Sequence, residues 1–414
     1  MRTAERNFLL VTPFFPDGMP TNGGNQRIAA FRLELLKYGN VYTCVPNKKD
    51  ADCSCVSREL GLYRIPGRVL MRRHPVRHIV NRLHKFFVGW LESWENAKTA
   101  PFATELPLDE WFPGVRFDAI FLRTFEEVRL FRPWNLGIPV FVDLDDSPLE
   151  AFDTRFGPRL AAWRRALSRA LFAAKFRKYC SRCAGGWLAN DENIGVLGLP
   201  RDRFLCMPNH PVPPPPAYRP ETECRDSLLF VGSFGYVPNI EAMTNFLNDI
   251  WPDISKAHPG LTLRIVGGGV PLREKARWER VGNVAVVGFA ADLSPFYERA
   301  YATVVPMLSG SGTAIKTMES LAYQRVCLAS PFGARGWRAG AVGICVCDSP
   351  ESWVHAVTDV MNISAADRRK LEKEARATLD KAGLKEQAAA AVHALVDRLE
   401  EKAHMGEAGE GSVS

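Results

Sequence analysis

The hydrophobic positions of the chain form two series of short apolar runs, and each series alternates with stretches of helical character. The first series opens at residues 8–12 and the second at residues 228–231. Both opening runs are apolar and end at Pro or Gly, as expected for strands covered on both faces. Strands that alternate with helices in this way predict a parallel sheet in each half of the chain.

The other strand candidates share this apolar character. They lie at residues 41–45, 117–122, 140–143, 186–189 and 203–207 in the first half, and at residues 261–266, 284–287, 302–306, 326–329 and 343–347 in the second. The predicted helices lie between or after the strands, at residues 26–38, 76–94, 159–183, 239–250, 313–322 and 367–402. No shorter repeat accompanies this two-fold organisation, so the pattern favours two α/β domains.

A Pro-rich segment separates the two series. Six prolines lie within residues 208–216, and consecutive prolines neither continue a helix nor join a central strand. The predicted bounds are residues 1–207 for an N-terminal Rossmann-like domain, 208–226 for the linker, 227–366 for a C-terminal domain, 367–403 for helices packing near the interdomain boundary, and 404–414 for a disordered tail.

The composition agrees with two globular domains. The length of 414 residues exceeds what one hydrophobic core usually serves, and the 46% hydrophobic content excludes a disordered chain. No run of about 18 apolar residues occurs, and the apolar stretch near the start is short and contains Pro13. Neither a membrane span nor a signal peptide is therefore predicted, and we expect a cytoplasmic protein with reduced cysteines.

The positive charge is concentrated in one half of the chain. The net charge is +7, but residues 1–207 carry nine more basic than acidic side chains. This excess predicts that the first half meets something anionic, either a membrane surface or a phosphorylated substrate, and nucleic acid is not among the expected partners.

Residues 72–94 favour the membrane surface as that anionic partner. Apolar residues recur there at helical spacing, while Arg77, Arg82 and Lys85 occupy the opposite face. This pattern is typical of a helix lying on an anionic bilayer, which would place the protein peripherally on the inner face of the membrane. The alternative is that the stripe packs into the first domain and its charges are solvated.

The segment most informative about chemistry is a glycine-rich turn between a strand and a helix. It consists of Gly310, Ser311, Gly312 and Thr313. Glycines let backbone N–H groups approach a ligand, and a helix N-terminus attracts phosphate. Lys316 adds a positive charge in the first turn, and Glu319 follows one turn later on the same face. The alternative is an ordinary turn with a solvent-facing Lys–Glu pair.

Further motifs accompany this turn in a fixed order. They are Phe230-Val-Gly-Ser-Phe234, Pro238-Asn239, Leu263-Arg-Ile-Val-Gly-Gly268, Val284-Ala-Val-Val-Gly288, Asp292, Pro306 and Phe332-Gly-Ala-Arg-Gly336. With them, residues 228–337 resemble the donor-binding domain of glycosyltransferase family 4 (group 1), whose members have the GT-B fold. The resemblance implies an α/β protein with two Rossmann-like parallel-sheet domains facing a central cleft, with the acceptor on the side of the first domain.

The resemblance also implies donor-binding roles in two loops of the second half. Gly232 and Ser233 would lie near the donor diphosphate. Gly288, Phe289 and Asp292 would flank the nucleotide base.

The glycine-rich turn is likewise implied to bind the donor, with Gly312, Thr313 and Lys316 on the diphosphate. Glu319 matches the second glutamate of the family's paired-glutamate motif and would bind the ribose. The first glutamate would fall at Ser311, so half of that motif is missing. The family's basic pair after the first strand of this domain is not evident either, which leaves more of the phosphate charge to Lys316 and backbone donors.

In the first half, the loop between the first strand and the first helix resembles the family's N-terminal glycine loop. We predict that Gly23, Gly24 and Arg27 bind the donor, because the loop lies at the carboxyl end of a strand, where such sheets bind ligands. The alternative is a plain loop in which Asn22 or Asn25 caps the helix.

Three carboxylates end a strand of the first half. Asp143-Leu-Asp145 spells the pattern by which other glycosyltransferases, of a different single-domain fold, hold a divalent metal. Asp145 and Asp146 are here acceptor-side candidates or helix caps, and no metal is expected. No cofactor is expected beyond the nucleoside diphosphate sugar as co-substrate. No nucleophile–base pair stands out, so no catalytic residue is assigned.

The predicted function is that of a glycosyltransferase that moves a sugar from a nucleoside diphosphate sugar to a glycan, a lipid-linked glycan or a protein. The resemblance implies retention of configuration and a role in polysaccharide biosynthesis. Two alternatives stay open: a nucleotide-sugar epimerase of the same fold, and a non-catalytic relative that binds a nucleotide sugar or glycan, which Ser311 makes conceivable.

Overall fold

The computed structural model describes residues 6–13, 23–47, 53–66, 83, 106–156, 161–211, 214–215, 217–220, 224–310 and 313–410. The chain divides into two compact units by its internal contacts. The first unit comprises Met1–Asp17, Arg27–Pro208 and Glu386–Ser414, and the second comprises Gly18–Gln26 and Asn209–Lys385. Each unit is built around its own sheet.

The described residues of the first unit form an eight-stranded sheet. Its strands are β1 (Arg6–Val11), β2 (Gly39–Asn47), β3 (Ser54–Ser57), β4 (Leu62–Pro66), β5 (Ala119–Arg123), β6 (Val140–Asp145), β7 (Gly185–Leu188) and β8 (Phe204–Cys206). The order is β3-β4-β2-β1-β5-β6-β7-β8, and neighbours are parallel except the edge pair β3 and β4. The order reverses direction at β1, which lies between β2 and β5.

Helices connect these strands. Their bounds are α1 (Gly23–Leu35), α2 (Leu108–Trp111), α3 (Thr124–Phe131), α4 (Pro148–Phe156), α5 (Ala162–Cys180) and α6 (Asp191–Leu197). Local chemistry sets the ends of α6. Oδ1 of Asn190 accepts a hydrogen bond from the N–H of Glu192 at 2.8 Å, and Gly198 ends the helix with φ of 67°.

The first sheet is covered on both faces. Leu9 and Val11 of β1 pack in one hydrophobic cluster, and Phe8 and Leu10 pack in another. Successive side chains of a strand point to opposite faces, so residues 8–11 of β1 are all apolar.

The described residues of the second unit form a six-stranded parallel sheet. Its strands are β9 (Ser227–Val231), β10 (Thr262–Val266), β11 (Val284–Gly288), β12 (Ala300–Val305), β13 (Val326–Ala329) and β14 (Ile344–Val346). The order is β11-β10-β9-β12-β13-β14, and it reverses direction at β9.

Seven described helices belong to this second unit. Their bounds are α7 (Val237–Asp249), α8 (Trp251–Ala257), α9 (Leu272–Glu279), α10 (Ser294–Glu298), α11 (Ile315–Ala322), α12 (Pro350–Asn362) and α13 (Ala365–Lys381). Leu228 and Phe230 of β9 pack in one cluster, and Leu229 packs on the other face. This sheet is therefore also buried on both sides.

The last helix, α14 (Leu384–Glu410), returns to the first unit. Val392 and Leu395 are buried in the cluster that contains Phe8 and Leu10. The indole N–H of Trp187 donates to the carbonyl of Ala391 at 2.9 Å. The helix therefore completes the core of the first unit. Residues 404–410, placed by the sequence in a disordered tail, continue this helix in the structure.

The predicted fold class is confirmed, since each half of the chain forms a sheet of parallel strands with helical connections. The predicted strands recur with ends shifted by no more than two residues. β3 and β4 were not predicted, because β3 is a short edge strand with mostly exposed residues. The helix predicted at residues 76–94 lies outside the described residues apart from Leu83.

Candidate functional site

The candidate site lies at the carboxyl ends of β9 and β12, where the strand order of the second sheet reverses. Loops that leave neighbouring strands on either side of such a reversal run apart, and a crevice opens between them. The loop after β9 begins at Gly232 and leads into α7, and the loop after β12 contains Gly310 and leads into α11. Both loops therefore lie at the same edge of the sheet, where such folds bind ligands.

Backbone segments approach one another closely at this edge. The N–H of Gly232 donates to the carbonyl of Val266 at 3.0 Å, and the N–H of Phe234 donates to that of Gly268 at 2.8 Å. At Gly267, φ is 150°, and a β-carbon there would lie 1.8 Å from the carbonyl oxygen of Gly232. Only glycine fits this position, so this part of the sequence motif brings the ends of β9 and β10 together.

Lys316 lies in the first turn of α11 and reaches the loop after β9. A β-carbon at Gly232 would lie 3.0 Å from its Cε, and its Nζ is 5.9 Å from the centre of the Phe230 ring. Burial lowers the pKa of the Lys316 ammonium to about 8; the Glu319 carboxylate opposes this shift, and the positive charge of Arg335 adds to it. An ammonium with little hydration at a helix N-terminus is suited to binding an anion.

Glu319 follows one turn later and is held by hydrogen bonds. It accepts one from the hydroxyl of buried Tyr297, whose ring stacks on Tyr323 with centroids 3.9 Å apart. Nε2 of Gln26, which belongs to the second unit, donates to Oε1 of Glu319 at 3.4 Å. Burial raises the pKa of Glu319, against the opposing effects of Lys316 and these hydrogen bonds. A carboxylate has about four acceptor positions, so Glu319 can still accept hydrogen bonds from a ligand.

The glycine-rich turn before α11 is described at its two ends. Gly310 has φ of 144°, and a β-carbon there would lie 3.0 Å from the hydroxyl oxygen of Tyr236. Oγ1 of Thr313 accepts a hydrogen bond from Nδ2 of Asn209 at 2.9 Å. Two residues predicted to bind the donor lie outside the described residues: Ser311 and Gly312.

The loop after β9 is fastened by Asn239. Nδ2 of this buried side chain donates to the carbonyl of Ser233 at 2.6 Å. Its Oδ1 is also buried and has no hydrogen-bond partner among the described residues. The Pro238-Asn239 motif therefore holds the loop that was predicted to lie near the donor diphosphate.

The residues predicted to flank the base divide into two groups. Gly288 accepts a hydrogen bond from the N–H of Gly267 at 2.7 Å, so it lies at the same sheet edge. Phe289 follows it with 61% of its surface exposed. Oδ1 of Asp292 accepts from the N–H of Ser294 at 2.9 Å, at the start of α10. The structure therefore places Gly288 at the same sheet edge as Gly232 and gives Asp292 a capping contact.

Arg335 belongs to this edge as well, although the sequence predicted no role for it. Its Cζ lies 4.1 Å from the centre of the Phe332 ring. That ring lies 3.6 Å from the point where a β-carbon of Gly310 would be. The motif at residues 332–336 contains Arg335, and its positive charge was the only available signal. Tyr297 was also missed, since one tyrosine in an apolar stretch has no distinctive pattern.

In the first unit, the predicted donor-binding residue Arg27 is engaged by a carboxylate. Its Nε lies 3.0 Å from Oδ1 and 2.9 Å from Oδ2 of Asp143, and its Nη2 lies 2.6 Å from Oδ1. Nη1 donates to the carbonyl of Met207 at 2.6 Å. Arg27 thus ties α1 to β6 and to the chain segment after β8. Its role in donor binding stays a prediction.

The acceptor-side candidates also face guanidinium groups. Nη2 of Arg123 donates to Oδ2 of Asp145 at 2.7 Å, and its Nε lies 3.3 Å from Oδ2 of Asp143. Burial opposes the charged form of Arg123, but these two carboxylates, with a further contribution from Asp146, raise its pKa above the ordinary value. Within the described ranges, no group of three or more His, Cys, Asp or Glu side chains is arranged to hold a metal ion.

The remaining predicted residues have only partial descriptions. Gly23 and Gly24 begin α1 and group with the second unit, while residues 14–22 before them lie outside the described residues. Residues 72–94, predicted to meet a membrane surface, are not described apart from Leu83. In the part of the chain that the structure covers, no helix combines the length and apolar character needed to cross a bilayer.

Comparison with known proteins identifies the second unit. The family model described as "Glycosyl transferases group 1" matches residues 225–362. This segment is therefore similar to the group 1 glycosyl transferases. The matched residues include the ends of β9 and β12 together with Lys316, Glu319 and Arg335. No curated protein matches the sequence.

Solved structures share the architecture of both units at low sequence identity. Sucrose-phosphate synthase from Thermosynechococcus elongatus is 14% identical, with a TM-score of 0.62 over 96% of this chain and 100% of that chain. A trehalose-6-phosphate synthase studied for glycosyl transfer with retention is 10% identical, with a TM-score of 0.58 over 95% and 99%. Anabaena HepE in complex with UDP and glucose is 10% identical, with a TM-score of 0.59 over 93% and 99%. The chain has the GT-B glycosyltransferase fold, as predicted.

Proposed function

We propose that the chain is a glycosyltransferase that takes a sugar from a nucleoside diphosphate sugar and transfers it to an acceptor bound by the first unit. The observation that carries this proposal is the position of Lys316 and Glu319 in successive turns of α11, at the strand-order reversal of a unit similar to the group 1 glycosyl transferases. An ammonium and a carboxylate one turn apart match two parts of such a donor, the diphosphate and a pair of hydroxyl groups.

The proposed reaction breaks the bond between the anomeric carbon and the β-phosphate oxygen. A bond forms between that carbon and the acceptor oxygen, the acceptor hydroxyl loses its proton, and the nucleoside diphosphate leaves. Negative charge therefore develops on the diphosphate in the transition state. Lys316 and the N–H groups at the start of α11 stabilise that charge, and they do so more strongly in a partly buried site than in water.

Glu319 is proposed to accept hydrogen bonds from the ribose hydroxyls of the donor. Tyr297 holds the carboxylate, so the side chain is oriented before the ligand arrives. An oriented acceptor loses little conformational freedom on binding, which favours affinity for the whole nucleotide.

UDP-glucose is the first donor to test, because HepE is in complex with UDP and glucose. Retention of configuration is proposed from the family resemblance and is supported by the trehalose-6-phosphate synthase studied for that outcome. For the acceptor we propose a glycan, a lipid-linked glycan or a protein, in polysaccharide biosynthesis. We also propose that residues 72–94 bring the protein to an anionic membrane surface on the cytoplasmic side. The fraction of protein that co-sediments with liposomes should then rise with their content of anionic lipid, and a fraction that does not change with that content would contradict this.

The test begins with a thermal-shift screen of UDP, GDP and ADP sugars. A ligand that binds only the native state raises the unfolding temperature, so the true donor should stand out from the others. Release of the free nucleoside diphosphate is then measured with that donor, with and without candidate acceptors. Failure of every nucleotide sugar to shift the unfolding temperature would contradict the proposal.

The same assay separates the two alternatives. An epimerase would convert the sugar of the donor without releasing nucleoside diphosphate. A non-catalytic relative would bind the donor and leave it unchanged. A transferase releases nucleoside diphosphate in proportion to the glycosylated acceptor.

A further inference from the structure

We propose that Arg335 is a second cation of the donor-diphosphate site and acts together with Lys316. This inference rests on the proposed function and deepens it, because it names a residue that determines affinity for the diphosphate. Its basis is the placement of the loop after β13 against α11 and the glycine-rich turn.

The loop that carries Arg335 is fixed on the helix that carries Lys316. Oγ1 of buried Thr317, in α11, donates to the carbonyl of Gly333 at 2.8 Å. The N–H of Gly333 donates to Oγ of Ser330 at 3.0 Å, and the N–H of Ala334 donates to the carbonyl of Ser330 at 3.0 Å. The start of the loop is therefore anchored, and the position of Arg335 relative to α11 is defined by buried hydrogen bonds.

The guanidinium is also oriented. Nη1 of Arg335 donates to the carbonyl of Phe332 at 2.9 Å, while Cζ lies 4.1 Å from the centre of the Phe332 ring. The same ring packs 3.6 Å from the β-carbon position of Gly310, at the start of the glycine-rich turn. Stacking and this hydrogen bond fix the plane of the guanidinium, whose fork of donors matches the oxygens of a phosphate group.

The hydrogen bond from Thr317 to Gly333 brings the loop of Arg335 beside the first turns of α11, and the positive charge of Arg335 lowers the pKa of Lys316 there. Two like charges at one sheet edge are unfavourable in the free protein, and an anion between them relieves that repulsion. No Lys or Arg occurs in residues 232–249 after β9, and Lys316 is the only one in residues 306–324. A diphosphate carries more than one negative charge, so the positive charge of Arg335 would add to the attraction that Lys316 supplies.

The test compares Arg335→Gln with Arg338→Gln, an exposed arginine three residues further along the same loop. Binding of UDP and of inorganic pyrophosphate is measured by isothermal titration calorimetry. Arg335→Gln should weaken both by about tenfold, whereas Arg338→Gln should match the wild type. Arg335→Lys should recover part of the affinity, because it keeps the charge but loses the fork of donors.

A second measurement excludes a merely structural role for Arg335. With the positive charge of Arg335 removed, the Lys316 ammonium loses its proton at a higher pH. The pH at which UDP affinity begins to fall should therefore be higher for Arg335→Gln than for the wild type. Equal behaviour of the Arg335 and Arg338 variants, with a wild type that binds UDP, would overturn the inference and leave the proposed function intact. A wild type that binds neither pyrophosphate nor any of UDP, GDP and ADP would overturn both.

Discussion

The guanidinium of Arg27 holds both carboxylate oxygens of Asp143, with three N–O distances between 2.6 and 3.0 Å, and both side chains are almost completely buried. This pair joins α1 to β6 within the first unit. A buried charge that already has a bidentate partner is costly to separate from it. Loss of either partner is therefore expected to destabilise the first unit, whether or not Arg27 also contacts a donor.

Arg27→Leu is expected to lower the free energy of unfolding by about 3 kcal/mol, because it leaves Asp143 with only the longer contacts to Arg123 and to the N–H of Asp145. Urea denaturation measures this change. Asp153→Asn, which breaks an exposed pair with Arg169, is the control and should cost less than about 1 kcal/mol. An Arg27→Leu protein with wild-type stability and lost UDP binding would instead support the predicted donor role.

Lys316→Ala and Glu319→Ala should differ in the ligands that they affect. Removal of the ammonium should weaken UDP and pyrophosphate alike by about ten- to a hundredfold, since a charge-assisted contact contributes about 1.5–3 kcal/mol. Removal of the carboxylate should weaken UDP but barely affect pyrophosphate, which has no ribose. Calorimetric titration of both ligands into both variants provides the measurement, with Lys275→Ala in exposed α9 as a control. Unchanged UDP binding in both variants would show that the glycine-rich turn is an ordinary loop without a role in donor binding.

UDP affinity should fall as pH rises through the pKa of Lys316, which is about 8 in the free protein. A bound diphosphate favours the charged form, so binding above pH 8 requires uptake of a proton, and affinity declines by up to about tenfold per pH unit. Titrations between pH 7.5 and 9 in buffers of different ionisation enthalpy report the proton uptake. Lys316→Met should show neither the decline nor the uptake, and a wild type without them would contradict the assignment.

Glu127 should make the stability of the first unit depend on pH. Burial raises its pKa to about 8, although a hydrogen bond from Thr124 opposes the shift. In the unfolded chain a glutamate ionises near pH 4.3. Between these values the folded state retains a proton that the unfolded state has lost, so stability falls as pH rises from about 4.5 to 8. The unfolding temperature of Glu127→Gln, measured across this pH range, should not show this decline. The exposed control Glu110→Gln should keep it, and a decline that persists in Glu127→Gln would contradict the assignment.

Much of the architecture could be predicted because parallel strands are buried on both faces. Residues 8–11 of β1 and 228–230 of β9 are apolar on both faces, so these strands can be recognised from the sequence without knowledge of their partners. β3 could not be found in this way, because an exposed edge strand gains its structure from pairing with β4 rather than from its own residues.

The proximity of the candidate residues could be predicted where they belong to one local segment of the sequence. Gly310, Lys316 and Glu319 lie within one strand–turn–helix segment, so their spacing alone brings them to one end of α11. Arg335 and Tyr297 reach the same edge from other connections in the sheet, and only tertiary packing shows that they meet. Arg27 was assigned by its place in a loop, but its partner Asp143 is 116 positions away, a distance over which sequence pattern carries no contact information.

The return of α14 to the first unit affects the order in which the protein can be made. Phe8 and Trp187 are translated before the second unit, whereas their neighbours Val392 and Leu395 are translated after it. The usual sequence of events on the ribosome, in which the N-terminal domain folds first, is therefore reversed in part. The second unit can mature while the first sheet still presents an apolar face to solvent or to a chaperone. We therefore expect that, in a nascent chain stalled at residue 385, protease digests the first unit and leaves the second unit intact.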